Sequence, residues 1–309
     1  NTHGSAVVEF DETYRRIEKR FKKLEGSLPV VTGFIAATSD GITTTLGRNG
    51  SDYTASLLGA ALRAEAVEIW TDVDGVLSAD PRVVPEAFVV PEISLQEAME
   101  LSYFGAEVIH PFTMVPAIER GVPLFIKNTL NPSARGTRIS DSPPLSDRPI
   151  TGVASIENVA LINVEGGGMM GIPGMASRVF TAMAHAGVNI IMISQASSEH
   201  SICLVIREHE VDRALRGLRR ELEYELQRRQ IDDFVHIPGL EIIAVIGGNM
   251  RGTPGISGRL FSALGNEGIN VLAIAQGSSE MNISFVVQNS ERAHTLRTVH
   301  AAFFGESEP

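Results

Sequence analysis

Gly171-Ile-Pro-Gly174 and Gln195-Ala-Ser-Ser-Glu199 return further along the chain as Gly252-Thr-Pro-Gly255 and Gln276-Gly-Ser-Ser-Glu280. Both pairs are separated by 81 residues (252 − 171 and 276 − 195). Four more matches lie on this offset: Arg178/Arg259, Phe180/Phe261, Gly187/Gly268 and Asn189/Asn270. Such self-similarity at a fixed period indicates a duplicated structural unit. The second half of the chain therefore contains two copies of one module.

Each copy predicts the element order strand, turn, helix, strand, strand, helix. The predicted strands are Val159–Val164, Asn189–Gln195 and Ile202–Ile206, then Leu240–Ile246, Asn270–Gln276 and Ile283–Val287. The helix after the Pro-Gly turn is expected to end at Gly187 or Gly268, because glycine tolerates the left-handed conformation that ends many helices. A charged helix over about 210–228 or 292–303 closes each copy. This order predicts a ferredoxin-like α/β sandwich.

The glycine turn of each copy suits a ligand. Glycines that open onto a helix N-terminus leave N–H groups and a positive dipole end for a carboxylate. Gln195 and Gln276, on the following strand, offer side-chain amides to the same ligand. A purely interfacial role for these two glutamines remains the alternative.

Composition limits the classes of function. The chain has 309 residues and a net charge of −11, which argues against a nucleic-acid partner because phosphate binding needs a basic face. A single cysteine forms no internal disulfide, as is typical of a reducing compartment. Apolar runs are too short for a membrane span, so we expect no membrane partner and a cytoplasmic location.

The first stretch with candidate chemistry is Thr43-Thr-Thr-Leu-Gly-Arg-Asn-Gly-Ser-Asp52. It follows a predicted apolar strand, Val30–Ala36, and leads into a helix for which Ser51 is the expected N-cap and Asp52 a first-turn residue. These local roles leave Arg48 and its flanking glycines unexplained. A guanidinium beside backbone N–H groups suits a bound carboxylate.

A second stretch, Val67 to Arg82, reads as a buried strand that runs into an acidic loop. Asp72, Asp74 and Asp80 suggest calcium, but Val76 occupies a ligand position and the twelfth-position glutamate is missing. A nucleotide-binding loop at the carboxyl end of a parallel strand fits better. The histidines lack paired spacing, so we predict no metal site in the protein.

The repeated motifs resemble the paired ACT domains at the C-terminus of aspartokinases, and most of all the threonine-sensitive type linked to homoserine dehydrogenase. The resemblance implies that Ile150–Ile156 supplies the last strand of the second copy. It also implies a homodimer through the ACT domains and threonine or lysine as effector. The implied effector contacts are Gln195, Asn189, Ile172, Gln276, Asn270 and Thr253.

From about Leu28 to Thr137 the chain resembles the C-terminal part of the aspartokinase catalytic domain, an α/β/α fold of the amino-acid kinase family. The motifs are the two stretches above, Phe104-Gly-Ala-Glu-Val-Ile-His-Pro111 and Pro123-Leu-Phe-Ile-Lys-Asn128. The resemblance implies ATP with Mg²⁺ and L-aspartate as substrates. The implied site residues are Phe34, Arg48 and Ser51 for aspartate, Thr71, Asp72 and Arg82 for ATP, and Asp52 as the organiser of a catalytic lysine.

Three departures from the family pattern shape the expectation for this chain. The lysine-bearing Lys-Phe-Gly-Gly strand is missing, Asn49 replaces a glycine, and Glu107 replaces a lysine that contacts phosphate. We therefore expect a kinase fragment that is inactive alone, or alternatively a non-catalytic regulatory or dimerisation subunit that only binds amino acids. The expected domains are a partial kinase domain (1–140), a linker (141–149), a first ACT domain (157–236) and a second (150–156 plus 237–309).

Overall fold

The computed structural model describes residues 6–24, 26–105, 111–143, 147–169, 173–195 and 201–305. The chain divides into two compact units, the first comprising 1–152 with 246–253 and the second comprising 153–245 with 254–309. Among the described residues, no helix is long and apolar enough to cross a membrane.

The first unit is built around a short mixed sheet. Its strands are β1 (Ile35–Ala37), β2 (Thr43–Thr45), β3 (Val67–Thr71), β4 (Glu92–Ser94), β5 (Leu124–Asn128) and β6 (Thr137–Ser140), and its helices are α1 (Phe10–Phe21), α2 (Gly50–Leu62), α3 (Leu95–Tyr103) and α4 (Val115–Glu119). Four of the strands form one sheet in the order β3-β5-β6-β4, parallel in both outer pairs and antiparallel in the middle. The fully buried side chains of this sheet include Ile93, Leu124, Ile126 and Ile139.

The predicted strand Val30–Ala36 is wrong over most of its length. Only Ile35 and Ala36 of it lie in β1, which pairs with β2 in a separate two-stranded sheet. Val30 is 94% exposed. A run of apolar residues forms a strand only where a neighbouring strand and a packed face stabilise it, and among the described residues Val30 has neither.

Helix α2 starts two residues earlier than the sequence suggests. It begins at Gly50, and its N-cap is Asn49 in the left-handed conformation, with φ of 54°. Ser51 is therefore a helical residue, and the prediction that it caps the helix is wrong. Asparagine is among the residues that tolerate this conformation best, which explains how it replaces a glycine here.

The second unit contains the duplicated module except for residues 246–253, which belong to the first unit. Its strands are β7 (Gly152–Glu165), β8 (Ile190–Gln195), β9 (Ser201–Arg207), β10 (Val235–Ile246), β11 (Ala273–Gln276) and β12 (Asn282–Gln288), and its helices are α5 (Met175–His185), α6 (Val211–Glu221), α7 (Glu223–Gln227), α8 (Ile256–Asn266) and α9 (Arg292–Phe304). The strands form one sheet in the order β11-β12-β10-β7-β9-β8. Every predicted strand of the repeat overlaps one of these strands, which confirms the ferredoxin-like element order.

The long central strands β7 and β10 show the repeat in their backbone conformation as well as in their sequence. β7 is continuous from Gly152 to Glu165, whereas the sequence predicted two separate strands there. Within β7 Asn158 adopts the left-handed conformation with φ of 58°, and Gly239, 81 residues later, does the same within β10 with φ of 69°. The N–H of Thr151 donates to the carbonyl oxygen of Ile246 at 2.7 Å, so the start of β7 lies beside the end of β10.

The first helix of each copy ends as predicted. Gly187 follows α5 with φ of 63°, and Gly268 follows α8 with φ of 71°. The next residue in each copy donates its N–H back across the turn, from Val188 to the Met183 oxygen at 3.0 Å and from Ile269 to the Leu264 oxygen at 2.9 Å. This bond satisfies a carbonyl group that the helix end would otherwise leave unpaired.

A buried charge cluster distinguishes the second copy from the first. Glu241 on β10 is 1% exposed, and its Oε2 lies 3.0 Å from Nε of Arg292 at the start of α9. Burial raises the pKa of Glu241 to about 7; Arg292 lowers it and the neighbouring Glu157 raises it. On the 81-residue offset the positions of Glu241 and Arg292 are Ala160 and Val211 in the first copy, so the first copy has apolar residues where the second has this ion pair.

This pKa predicts a pH-dependent stability. Because the folded protein holds the Glu241 proton more tightly than the unfolded chain, whose pKa is near 4.5, the contribution of this group to stability falls as pH rises from about 4.5 to about 7. Thermal unfolding from about pH 5 to about pH 8 should therefore show wild type losing stability relative to Glu241→Gln, by at most about 1.4 kcal/mol per pH unit. Parallel pH profiles for the two proteins would contradict the prediction.

Candidate functional site

Phe34 anchors the first cluster of predicted site residues. Its backbone has φ of 74°, which is uncommon for a bulky side chain and requires support from its surroundings. The Phe34 N–H donates to the Gly50 oxygen at 3.2 Å and to Thr54 Oγ1 at 3.1 Å, while the Phe34 oxygen accepts the Leu46 N–H at 2.9 Å. The strained residue is thereby fixed against the first turn of α2.

The same turn carries the other three predicted residues of the aspartate site. Arg48 and Ser51 are exposed on either side of the N-cap, and Asp52 is half-buried in the first helical turn. No ion pair or hydrogen bond holds the Arg48 side chain within the described part of the chain. Burial raises the pKa of Asp52, and the Asn49 amide and the Ser51 hydroxyl, each 3.4 Å from its carboxylate, act in the opposite direction.

The segment that contains Phe34 packs closely against the first turn of α2. A Cβ atom on Gly50 would lie 2.8 Å from the Phe34 ring, and one on Gly33 would lie 2.8 Å from Cα of Ser51. Glycine is therefore needed at both positions, because a larger residue would push the Phe34 segment away from α2. The structure thus places Phe34, Arg48, Ser51 and Asp52 around one helix N-terminus.

The second cluster lies at the carboxyl ends of the parallel strands β3 and β5. Thr71, the last residue of β3, pairs in register with Asn128, the last residue of β5. The Thr71 hydroxyl donates to Asp72 Oδ1 at 3.1 Å. The loops beyond the strands are joined at Asp74, whose Oδ1 accepts from Asn128 Nδ2 at 2.7 Å and from Asn131 Nδ2 at 3.2 Å. Ligands of α/β proteins bind at such an edge.

Sequence reasoning missed the role of Asn128, Asn131 and Asp74. Asp74 was considered only for calcium, and Asn128 only as the end of a family motif. The available signal was the polar residue at the end of each buried run, because the carboxyl ends of parallel strands meet at one edge. Among the described residues, no group of three or more acidic, histidine or cysteine side chains is arranged for a metal ion.

Arg82, the third predicted nucleotide contact, is held by its own loop. Its Nε and Nη2 lie 2.9 Å from the two carboxylate oxygens of Asp80, and its backbone N–H also donates to Asp80 at 2.9 Å. The guanidinium remains 85% exposed. A guanidinium held in this way is pre-oriented.

The two predicted effector glutamines end corresponding strands of the second unit. Gln195 is the last residue of β8 and Gln276 the last of β11, and both side chains are exposed. β8 and β11 are the outermost strands of the sheet, yet they touch, because Ser194 Oγ donates to the Ile274 oxygen at 2.9 Å. The two glutamines therefore lie on strands that are directly joined.

The remaining effector candidates are distributed over both units. Asn189 and Asn270 are exposed and follow the left-handed glycines that end α5 and α8. Thr253 is exposed and belongs to the first unit; its Oγ1 donates to the Asn249 oxygen at 2.6 Å. Ile172 and Glu107 lie outside the described residues.

The comparisons with known proteins agree with both halves of this description. The pattern of the amino acid kinase family matches residues 4–128, and that of the ACT domain matches residues 162–222 and 243–303. The bifunctional aspartokinase/homoserine dehydrogenase 2, chloroplastic, of Arabidopsis thaliana is 47% identical over 302 residues, which are 96% of this chain. The chain spans only 33% of that relative. Because that relative is chloroplastic, the expected cytoplasmic location stays a prediction.

Solved structures match the fold over nearly the whole chain. Clostridium acetobutylicum aspartate kinase is 30% identical with a TM-score of 0.87, and the match covers 97% of this chain and 68% of that one. E. coli aspartokinase III is similar both in complex with aspartate and ADP (29% identity, TM-score 0.75, 98% and 67% covered) and in complex with lysine and aspartate (30%, 0.78, 97% and 66%).

The fold thus joins an amino acid kinase domain to tandem ACT domains, the arrangement of a kinase with ACT regulatory domains. The chain belongs to the aspartate kinase family.

Proposed function

We propose that this chain is part of an aspartate kinase, which phosphorylates the side-chain carboxylate of L-aspartate with ATP to give 4-phospho-L-aspartate. The observation that carries the proposal is the attachment of Phe34 to the first turn of α2, which gathers it with Arg48, Ser51 and Asp52. The aspartate and ADP bound to E. coli aspartokinase III support the same substrates here.

Each residue of this cluster has a role in the proposed site. The exposed Arg48 guanidinium binds a carboxylate of aspartate through paired charge-assisted hydrogen bonds, and Ser51 adds a hydroxyl. Phe34 lines the pocket with its ring. Asp52, half-buried on the same turn, orients the catalytic lysine that the family pattern places in a Lys-Phe-Gly-Gly strand.

In the proposed reaction, a side-chain oxygen of aspartate attacks the γ-phosphorus, the bond from that phosphorus to the β–γ bridging oxygen breaks, and ADP leaves. Thr71, Asp72 and Arg82 contact the nucleotide at the carboxyl edge of β3 and β5. Mg²⁺ that accompanies ATP would supply charge neutralisation at the transferred group. The work of this chain is to position the two substrates.

The ACT domains are proposed to bind threonine or lysine and to regulate the kinase as a homodimer. Lysine bound to E. coli aspartokinase III supports an amino acid of the aspartate-derived class. The exposed Gln195 and Gln276, with Asn189 and Asn270, offer amide groups for the effector. Ile172 and Thr253 are the proposed loop contacts of the two copies.

The aspartate site is tested by the binding of L-aspartate to this chain, measured by isothermal titration calorimetry. Arg48→Ala should weaken binding by about tenfold or more, because it removes a charge-assisted contact worth about 1.5–3 kcal/mol. Arg20→Ala, an exposed arginine on α1, is the matched control and should bind as wild type does. If wild type and Arg48→Ala bind aspartate equally, the assignment of Arg48 fails. If wild type does not bind aspartate, the result favours the non-catalytic regulatory subunit.

A further inference from the structure

Glu97 is a buried carboxylate of the first unit that accepts four hydrogen bonds through its side chain. It is 8% exposed and sits in the first turn of α3. Its Oε2 accepts from the Ser94 N–H at 2.8 Å and from the Ser94 hydroxyl at 2.7 Å, which completes a capping box. Its Oε1 accepts from the Gly248 N–H at 2.8 Å and from the Thr151 hydroxyl. One side chain therefore joins the start of α3 to two distant segments.

The charge state of Glu97 follows from these bonds. Burial raises the pKa of this carboxyl, but the hydrogen bonds from Thr151, Ser94 and Gly248 outweigh burial and leave the pKa lowered. Glu97 is therefore ionised at neutral pH. All of its bonds are charge-assisted, and they are stronger than bonds between neutral groups.

The loop that Glu97 binds is the glycine loop of the second repeat copy, residues 246–253. This loop belongs to the first unit. It packs tightly there, because a Cβ on Gly247 would lie 2.6 Å from Cα of Ile150. The loop is also bonded through Asn249, whose Nδ2 donates to the Arg148 oxygen at 3.0 Å.

The same loop of the first copy has different partners. Gly166 and Gly167 occupy the positions of Gly247 and Gly248 on the 81-residue offset. There the loop packs on Gln230: the Gly168 N–H donates to the Gln230 oxygen at 3.0 Å, and a Cβ on Gly166 would lie 2.3 Å from that oxygen. The contact with α3 is thus particular to the second copy and is not a general feature of the module.

Thr253, the proposed effector contact of the second copy, is hydrogen-bonded to the part of the loop that directly follows Gly248. Its Oγ1 donates to the Asn249 oxygen at 2.6 Å and its N–H donates to the Met250 oxygen at 3.0 Å. A shift at Thr253 therefore moves the residues next to Gly248. At its other end, α3 leads through Phe104 and Gly105 into the motif that the family uses to contact nucleotide phosphate.

We propose that Glu97 is a positioning residue that transmits the state of the second copy's effector loop to helix α3, and that the first copy lacks this connection. The inference rests on the proposed function, since it needs an effector at Thr253. When the effector orders the loop, the Gly248 N–H stays on Glu97 and the start of α3 is held. When the loop is unliganded, that bond opens more often and the start of α3 frays.

Hydrogen–deuterium exchange on the full chain, with threonine or lysine at millimolar concentration, tests the proposal. In wild type, the effective amino acid should slow exchange in 246–253 and in α3, the latter by about fivefold or more, the low end of ordinary allosteric coupling. In Glu97→Ala the loop should still respond and α3 should not. Thr151→Val, a milder variant that keeps the Gly248 bond and the capping box, should reduce the α3 response without abolishing it.

Ser94→Ala is the matched control. It removes the cap hydroxyl and speeds exchange of α3 in the absence of effector, but it leaves the Gly248 bond and should retain the response of α3. An α3 response in Glu97→Ala as large as that in wild type would overturn the proposal, and so would a wild-type loop that responds while α3 does not. If neither amino acid slows exchange in the wild-type loop, the effector site fails and this inference fails with it.

Discussion

Gly136→Ala lowers the free energy of unfolding of the first unit by about 3 kcal/mol or more, the largest single-residue effect we expect in this chain. Gly136 precedes β6 with φ of 75°, and a Cβ there would lie 2.1 Å from the carbonyl oxygen of Ile126 on β5. The obstructing atom belongs to the backbone of a paired strand, so it cannot rotate away as a side chain would. The pairing of β5 with β6 must shift instead, and with it the edge that carries Asn128.

Gly121→Ala separates the two causes of this loss. Gly121 has φ of 74°, almost the same as Gly136, but a Cβ there would meet no atom within 4 Å. Only the left-handed backbone then disfavours alanine, at a cost of about 1 kcal/mol. Chemical denaturation of both variants measures the difference. Equal losses would show that backbone conformation, and not the approach of Ile126, is what requires glycine at residue 136.

Arg178→Ala should destabilise the second unit by about 2 kcal/mol, because it leaves a buried carboxylate without its cation. Arg178 on α5 pairs with Glu225 on α7, which is 7% exposed, and also donates to the backbone oxygen of Glu221. The arginine itself is 36% exposed, so water compensates part of the loss. Thermal unfolding followed by circular dichroism measures the change.

The repeat supplies the control for this variant. Arg259 occupies the same position in the second copy, but its guanidinium stacks on the Phe303 ring at 5.1 Å from the ring centre. Arg259→Ala removes a cation–π contact worth about 0.5–1 kcal/mol and strands no buried charge. If the two alanine variants lose equal stability, burial of Glu225 does not matter as we argue.

The repeat made the second unit readable from sequence, because matching residues in two copies report the same structural need. Gly187 and Gly268 gave the helix ends in this way. The continuity of β7 was not predictable, since the change of neighbours at Asn158 depends on a strand that comes some 80 residues later in the chain. The sequence also could not predict that Arg178 pairs with a carboxylate while Arg259 stacks on an aromatic ring, because the two residues are identical and only their surroundings differ.

In the first unit, local sequence located the site but not its supports. Arg48, Ser51 and Asp52 lie within one turn, so their grouping follows from the chain itself. Phe34 joins them through the left-handed backbone and the bonds to Gly50 and Thr54, and no local pattern predicts these for a phenylalanine. Val30 shows the converse error: apolar character alone predicted a strand where the described residues provide no neighbour.

The left-handed residues Asn158 and Gly239 bear on whether the two copies of the module can fold independently. From Val159 onward β7 pairs with β9 of the first copy, and β10 lies between β12 and β7. We propose that Asn158 and Gly239 mark the points at which these long strands pass from one copy to the other, so that each copy supplies one strand to the sheet of the other. Neither copy can be excised with a complete sheet, and the pair should melt in a single cooperative step. An amino acid bound to one copy therefore stabilises both.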